Sequence, residues 1–261
     1  MSAECSVPAR VVGYHLMARD LRRLLRYPTT SFRILFFPVF FVIVVSGTFA
    51  SAAKLPGFPA RSLLDWILPI GFVAGAVAAA GIPVFAMARD IESGFFDRLV
   101  LSSADPMGLL LGPILAALVR ALVPFAIVVC LGLLAGVRLL GGPAGLVTAL
   151  LAAEGTALCA VTSGVGLGLR LGSVRRTIGP IQIINFAVLY ISTAQVPPSL
   201  MAPWLRAAAR VNPMSQVLAL ARQGFLGPVT WGQTWPGLAV LCFGSALLML
   251  FAVRGLSGRG R

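Results

Sequence analysis

Apolar positions in this chain fall into long runs separated by short charged or proline-rich breaks. Runs of about 20 apolar residues match the thickness of a bilayer core. The pattern predicts spans over 34–53, 66–88, 107–137, 144–169, 177–196 and 233–253. Lipid offers the backbone no hydrogen-bond partners, so each run is expected to be a helix that satisfies its own amides. The first run is preceded by a different pattern: Val11, Val12, Leu16, Leu21, Leu24 and Leu25 alternate at helical spacing with Arg10, Arg19, Arg22, Arg23 and Arg26. That is an amphipathic helix, suited to lying in the headgroup region or to packing on a soluble partner. Between the fifth and sixth runs, residues 199–232 are too interrupted to span, with Pro203, Arg206, Arg210, Asn212-Pro213, Arg222 and Gly227-Pro228. They divide into two short amphipathic helices.

Composition agrees with a membrane solvent. Hydrophobic residues make up 58% of the 261 positions and charged residues only 11%, against roughly 45–50% and 25% in soluble domains. The expected fold is therefore an all-α membrane protein: an interfacial N-terminal segment over 1–33, a six-span domain over 34–254 and a tail over 255–261. The net charge of +13 forms no basic stripe along one helix, which argues against nucleic acid. It does bear on orientation. Lys54, Arg61, Arg138, Arg206, Arg210 and Arg222 fall on one side, Arg120 falls inside a run, and the remaining arginines lie with the N-terminus. The positive-inside rule then puts both termini in the cytoplasm, and Trp66, Trp204, Trp231 and Trp235 near the outer interface. No cleavable leader is expected before the first run.

The chemistry of an enzyme is missing from this pattern. There is one histidine, His15, on the amphipathic segment, and Cys5, Cys130, Cys159 and Cys242 have no metal-site spacing. No catalytic set and no metal cluster is expected. A phosphate-binding loop needs lysine followed by Ser or Thr, whereas the sole lysine, Lys54, stands between Ala53 and Leu55. Alternating Gly164, Gly166 and Gly168 lie inside a run and read as helix packing, as do Gly71 and Gly75 with Ala78 and Ala79 after them.

Two buried charges and one polar face invite functional readings. Arg120 and Glu154 interrupt the third and fourth runs, at a cost that marks them either as a structural pair or as substrate contacts. Gln182, Asn185, Leu189 and Ser192 recur at helical spacing in the fifth run. Such a stripe faces other helices or a substrate path between two subunits.

The loop after the second run, 89–103, carries Arg89, Asp90, Glu92, Gly94, Phe95, Phe96, Asp97, Arg98 and Ser102. Two phenylalanines among alternating charges suit a short amphipathic helix that presses on a cytoplasmic partner. This loop, the six runs, and Asn212-Pro213-Met214-Ser215 leading to Ala219-Leu220-Ala221-Arg222 together resemble the permease subunits of type-2 ABC exporters, in particular the daunorubicin-resistance-like efflux branch. One departure is that Ser103-Ala104-Asp105 separates Ser102 from Pro106. The resemblance implies that Asp90, Glu92, Gly94, Phe95, Phe96, Asp97 and Arg98 couple to a separate ATP-binding cassette subunit, which would hold ATP and Mg; this chain would bind neither. It also implies pairing with a second copy or a related permease in a bacterial plasma membrane, and export of a hydrophobic or amphipathic drug-like or lipid-like compound. A non-transporting membrane scaffold is the alternative.

Overall fold

The computed structural model describes residues 8–26, 28–101 and 106–257, with positions 20, 23–26, 28–35, 101 and 106 described by their backbone alone. Ser102, Ser103, Ala104 and Asp105, the end of the expected coupling loop, lie outside the described residues, as do Cys5 and the tail from 258. Ten α-helices follow in order: α1 (Ala9–Arg26), α2 (Pro28–Thr48), α3 (Leu63–Glu92), α4 (Phe95–Leu101), α5 (Pro106–Leu134), α6 (Gly142–Leu171), α7 (Val174–Tyr190), α8 (Pro203–Val211), α9 (Pro213–Leu226) and α10 (Trp231–Ser257). Among the described residues there is no strand.

Four of these, α3, α5, α6 and α10, are long and apolar enough to cross a membrane, and Phe36–Thr48 of α2 forms a shorter apolar helix. At 1.5 Å per residue the 30 residues of α3 extend about 45 Å, longer than the roughly 30 Å hydrocarbon core, so its ends reach the headgroups. Helix α3 begins in a capping box: Ser62 Oγ accepts from the Asp65 amide, and Asp65 Oδ2 accepts from the Ser62 amide, each at 3.1 Å. The expected run began at Trp66; the cap adds a turn before it.

Lipid tails are as apolar as leucine, so small residues that permit close contact decide how these helices pack. Helix α3 is the centre. A Cβ on Gly75 would lie 2.6 Å from Pro124 of α5, and one on Gly71 would meet Val42 of α2 and Val128 of α5. Ala79 continues this buried face, while Ala78 is exposed. On its other side α3 meets α6, where Val84 occupies the space over Gly164; Gly166, half a turn round, receives Phe251 of α10. The alternate glycines thus let α6 sit between α3 and α10. Arg170 fixes the end of that contact, donating to the carbonyls of Gly166 (3.0 Å) and Phe251 (2.8 Å).

Helix α1 packs along the start of α5: Val12 covers Gly108 and Leu16 covers Gly112. The Gly108-xxx-Gly112 spacing supplies the groove, and α1 runs in the same direction as α5.

Candidate functional site

The expected coupling segment is a sharp reversal between α3 and α4. Ser93 ends α3, and Gly94 at φ +69° takes the left-handed conformation that turns the chain into α4. The turn is tied to two other helices. Asp90 Oδ2 accepts from Arg19 of α1 at 2.7 Å. Glu92 Oε1 accepts the backbone N–H of Val174, the first residue of α7, at 2.8 Å. A helix start leaves its first amides without intrahelical partners and carries a partial positive charge, so a carboxylate there is doubly suited. Ser173, the formal cap of α7, makes no side-chain cap bond; the acid comes instead from 82 positions away in sequence.

The two phenylalanines of α4 differ. Phe96 is 3% exposed, turned into the crevice where Leu16, Met87 and Leu109 meet. Phe95 is 36% exposed, with the guanidinium carbons of Arg19 and Arg98 at 5.8 and 6.0 Å from its ring centre. Phe95 is therefore the aromatic group presented outward. Asp97 and Arg98 are exposed beside it. At this turn we expect Glu92→Gln to unfold in detergent at the wild-type temperature, because an amide oxygen still accepts the Val174 bond. Glu92→Lys, which offers no acceptor and puts a cation at a helix N-terminus, should lose about 1 kcal/mol or more of stability and melt earlier. Equal melting of the two variants would contradict this tie.

At the opposite end of α7 lies a second polar knot. Asn212 caps α9: its Oδ1 accepts from the Met214 amide at 2.9 Å, and Pro213 takes the first helical position, where no amide is needed. Its Nδ2 donates to the carbonyl of Val188 in the last turn of α7, 2.7 Å away. Ser215 Oγ accepts from the Thr193 amide. Arg222, 3% exposed, donates to the carbonyls of Trp66 (3.0 Å) and Ala194 (2.5 Å) and to Thr193 Oγ1 (3.3 Å), and its guanidinium sits 3.9 Å over the Trp66 ring. One side chain thus joins α9, the start of α3 and the segment leaving α7.

The expected polar stripe is shorter in three dimensions. Helix α7 ends at Tyr190, so Ser192 leaves the helical register; it is buried, and its hydroxyl bonds the Leu189 carbonyl. Gln182 is exposed and Asn185 half-buried. Around them Ile183 and Phe186 are 72% and 52% exposed. Helix α7 is accordingly held at its two ends by hydrogen bonds and lightly packed between them.

Arg120 and Glu154 sit on neighbouring helices, α5 and α6. Arg120 is buried, and Oε1 of Glu154 is buried without a hydrogen-bond partner among the described residues. Of the four tryptophans, Trp204, Trp231 and Trp235 are exposed at the end opposite α4, while Trp66 is buried as the platform under Arg222. Trp66, Thr193, Ala194, Ser215, Arg19 and Val174 were missed as site residues. Most contribute backbone groups or come together only through tertiary contacts, which no local pattern encodes.

Comparison with known proteins agrees with this architecture. The daunorubicin resistance ABC transporter permease protein DrrB1 of Streptomyces coeruleorubidus is 26% identical over 253 residues, covering 94% of this chain and 86% of that protein. Residues 13–226, from α1 to the end of α9, match the ABC-2 type transporter family. That span takes in the α3–α4 turn, both ends of α7 and the Asn212–Arg222 segment, and with the several apolar helices it makes the chain a multi-pass membrane protein of the ABC-2 type transporter permease family.

Proposed function

We propose that this chain is the membrane-spanning half of an ATP-driven exporter, working with a second permease, identical or related, and with separate ATP-binding cassette subunits that hold ATP and Mg. Helices α2, α3, α5, α6, α7 and α10 are its six spans, with α1 at the cytoplasmic interface and α8 and α9 on the outer side. The excess of arginine at the α4 end supports placing that end and both termini in the cytoplasm. The cargo is a hydrophobic or amphipathic compound; the resistance named for the Streptomyces relative supports a drug-like molecule.

The observation that carries this reading is the pair of contacts at the α3–α4 turn. Asp90 with Arg19, and Glu92 with the Val174 amide, connect one exposed surface to α1 and to α7. A partner that moves α4 therefore acts on the start of α7, whose far end is bonded to α9 through Asn212 and Arg222. A weakly packed helix gripped at both ends can shift as a unit, at small cost in buried contacts. Gln182 and Asn185, on this helix, are the groups placed to meet cargo between two permeases.

The test is ATP-dependent accumulation of daunorubicin in inverted membrane vesicles containing this chain and its ATP-binding subunit, with Phe95→Ala as the variant. Phe95 is exposed, so its truncation leaves the fold intact; truncating buried Phe96 would cost about 3–5 kcal/mol and confuse docking with stability. Wild-type vesicles should accumulate the drug, and Phe95→Ala should reduce the rate several-fold. Accumulation equal to that of vesicles lacking the chain would refute the proposal.

A further inference from the structure

A cavity of about 530 Å³ opens between the end of α2, the start of α3 and the end of α5, at the end of the bundle opposite α4. Its volume is within the roughly 300–1,000 Å³ of ligand pockets. Val42, Ile43, Leu68, Val128 and Leu131 make its body apolar. Val42 and Val128 close over Gly71, whereas Gly47, five residues further along α2, lines the cavity with nothing within 4 Å of the position of a Cβ.

Two cations, Lys54 and Arg61, line the same cavity. Both are exposed, and among the described residues neither makes a hydrogen bond or ion pair. The nearby acid, Asp65, takes the amide and hydroxyl of Ser62 on Oδ2 in the cap of α3 and forms no ion pair with either cation among the described residues, which leaves two cations against one carboxylate. Ser46 and Ser62 also line the cavity; Ser46 Oγ donates to the Val42 carbonyl of its own helix and Ser62 Oγ to Asp65. The site thus offers apolar volume bordered by two cations and one carboxylate, a net positive edge.

We propose that this crevice holds one acyl chain of an anionic phospholipid, with the phosphate held by Lys54 and Arg61. A membrane helix bundle with a lipid-accessible apolar cleft fills it with hydrocarbon, since an empty one forfeits contacts, and basic side chains at the headgroup level select negative lipids. The site is separate from Gln182 and Asn185 of α7 and from the coupling turn; it makes the bound lipid a structural ligand that wedges α2 against α3 and α5.

The full chain, assembled with its partners, can be tested in nanodiscs. After release into detergent, native mass spectrometry should show one dioleoylphosphatidylglycerol retained per chain, about tenfold in excess of dioleoylphosphatidylcholine, the scale expected of two cations near an anionic headgroup. Retention should disappear in the Lys54→Gln, Arg61→Gln double variant and in Gly47→Trp, which fills the crevice where a Cβ meets nothing. Equal retention of the two lipids, or adducts unchanged in both variants, would overturn the proposal. A readout that needs no variant uses Lys54, the only lysine of the chain. An amine-reactive reagent, with the modified peptide mapped, should label it several-fold more slowly in phosphatidylglycerol than in phosphatidylcholine nanodiscs. Equal rates in the two lipids would overturn it as well, including the case of a second permease covering the crevice in both.

Discussion

Replacing Arg222 with alanine is expected to detach α9 from the start of α3 and to lower stability by at least about 3 kcal/mol. Hydrogen bonds to charged groups contribute about 1.5–3 kcal/mol each, and Arg222 makes three, in a site where its side chain is 3% exposed. The Ala194 carbonyl would lose its guanidinium donor, and the Trp66 ring its cation. Lysine should not restore the wild type. A single ammonium cannot reproduce a planar fork that reaches Trp66, Thr193 and Ala194 together while stacking on an indole. Thermal unfolding in detergent measures the loss, and export should fall with it because the far end of α7 is no longer held. An alanine variant melting with the wild type would show that the knot carries no stability.

The second large effect is expected at Gly224. A Cβ there would lie 2.7 Å from the carbonyl carbon of Gly145 and 2.8 Å from its oxygen; one on Gly145 would lie 2.6 Å from the Gly224 Cα. Both neighbours are backbone, so no rotamer relieves the clash. The same approach lets the Gly224 carbonyl accept the Gly141 amide at 2.8 Å, joining α9 to the turn before α6. Gly224→Ala should therefore cost about 1–3 kcal/mol, the range of overpacked cores, and Gly224→Leu more. Gly232→Ala is the control, since a Cβ there meets nothing within 4 Å; it should melt like the wild type. A Gly224→Leu variant as stable as that control would mean that α9 does not dock on α6 at this point.

These two positions also show what was legible before the structure. The long spans were, because bilayer thickness forces runs such as 107–137 and 144–169 that nothing else requires; the helices formed there are α5 and α6, with ends shifted by a few residues. The division of 199–232 was equally plain, since Pro203 and Pro213 each begin a helix. Asn212 and Arg222 were visible as an ordered motif, but their work was not. Asn212 reaches Val188, and Arg222 reaches Trp66 from 156 positions away, and such pairings depend on which helices become neighbours. For the same reason nothing in the local pattern marks Gly224, and Trp66 reads as an interfacial anchor rather than a buried platform. At the α3–α4 turn the residue types pointed to a docking helix, but only the fold separates outward Phe95 from buried Phe96. Ser192 left the polar stripe because α7 stops at Tyr190, a boundary that the following Pro197-Pro198 marks several residues too late.

The most direct test of the central claim, that this chain is a permease powered by a separate ATPase, is to isolate the tagged chain in mild detergent from its native membrane and quantify what accompanies it. An ATP-binding cassette subunit is expected in equal amount, hydrolysing ATP, and bound less well by Phe95→Ala. A chain recovered alone, with no ATP-hydrolysing partner at any detergent concentration that preserves its fold, would contradict it.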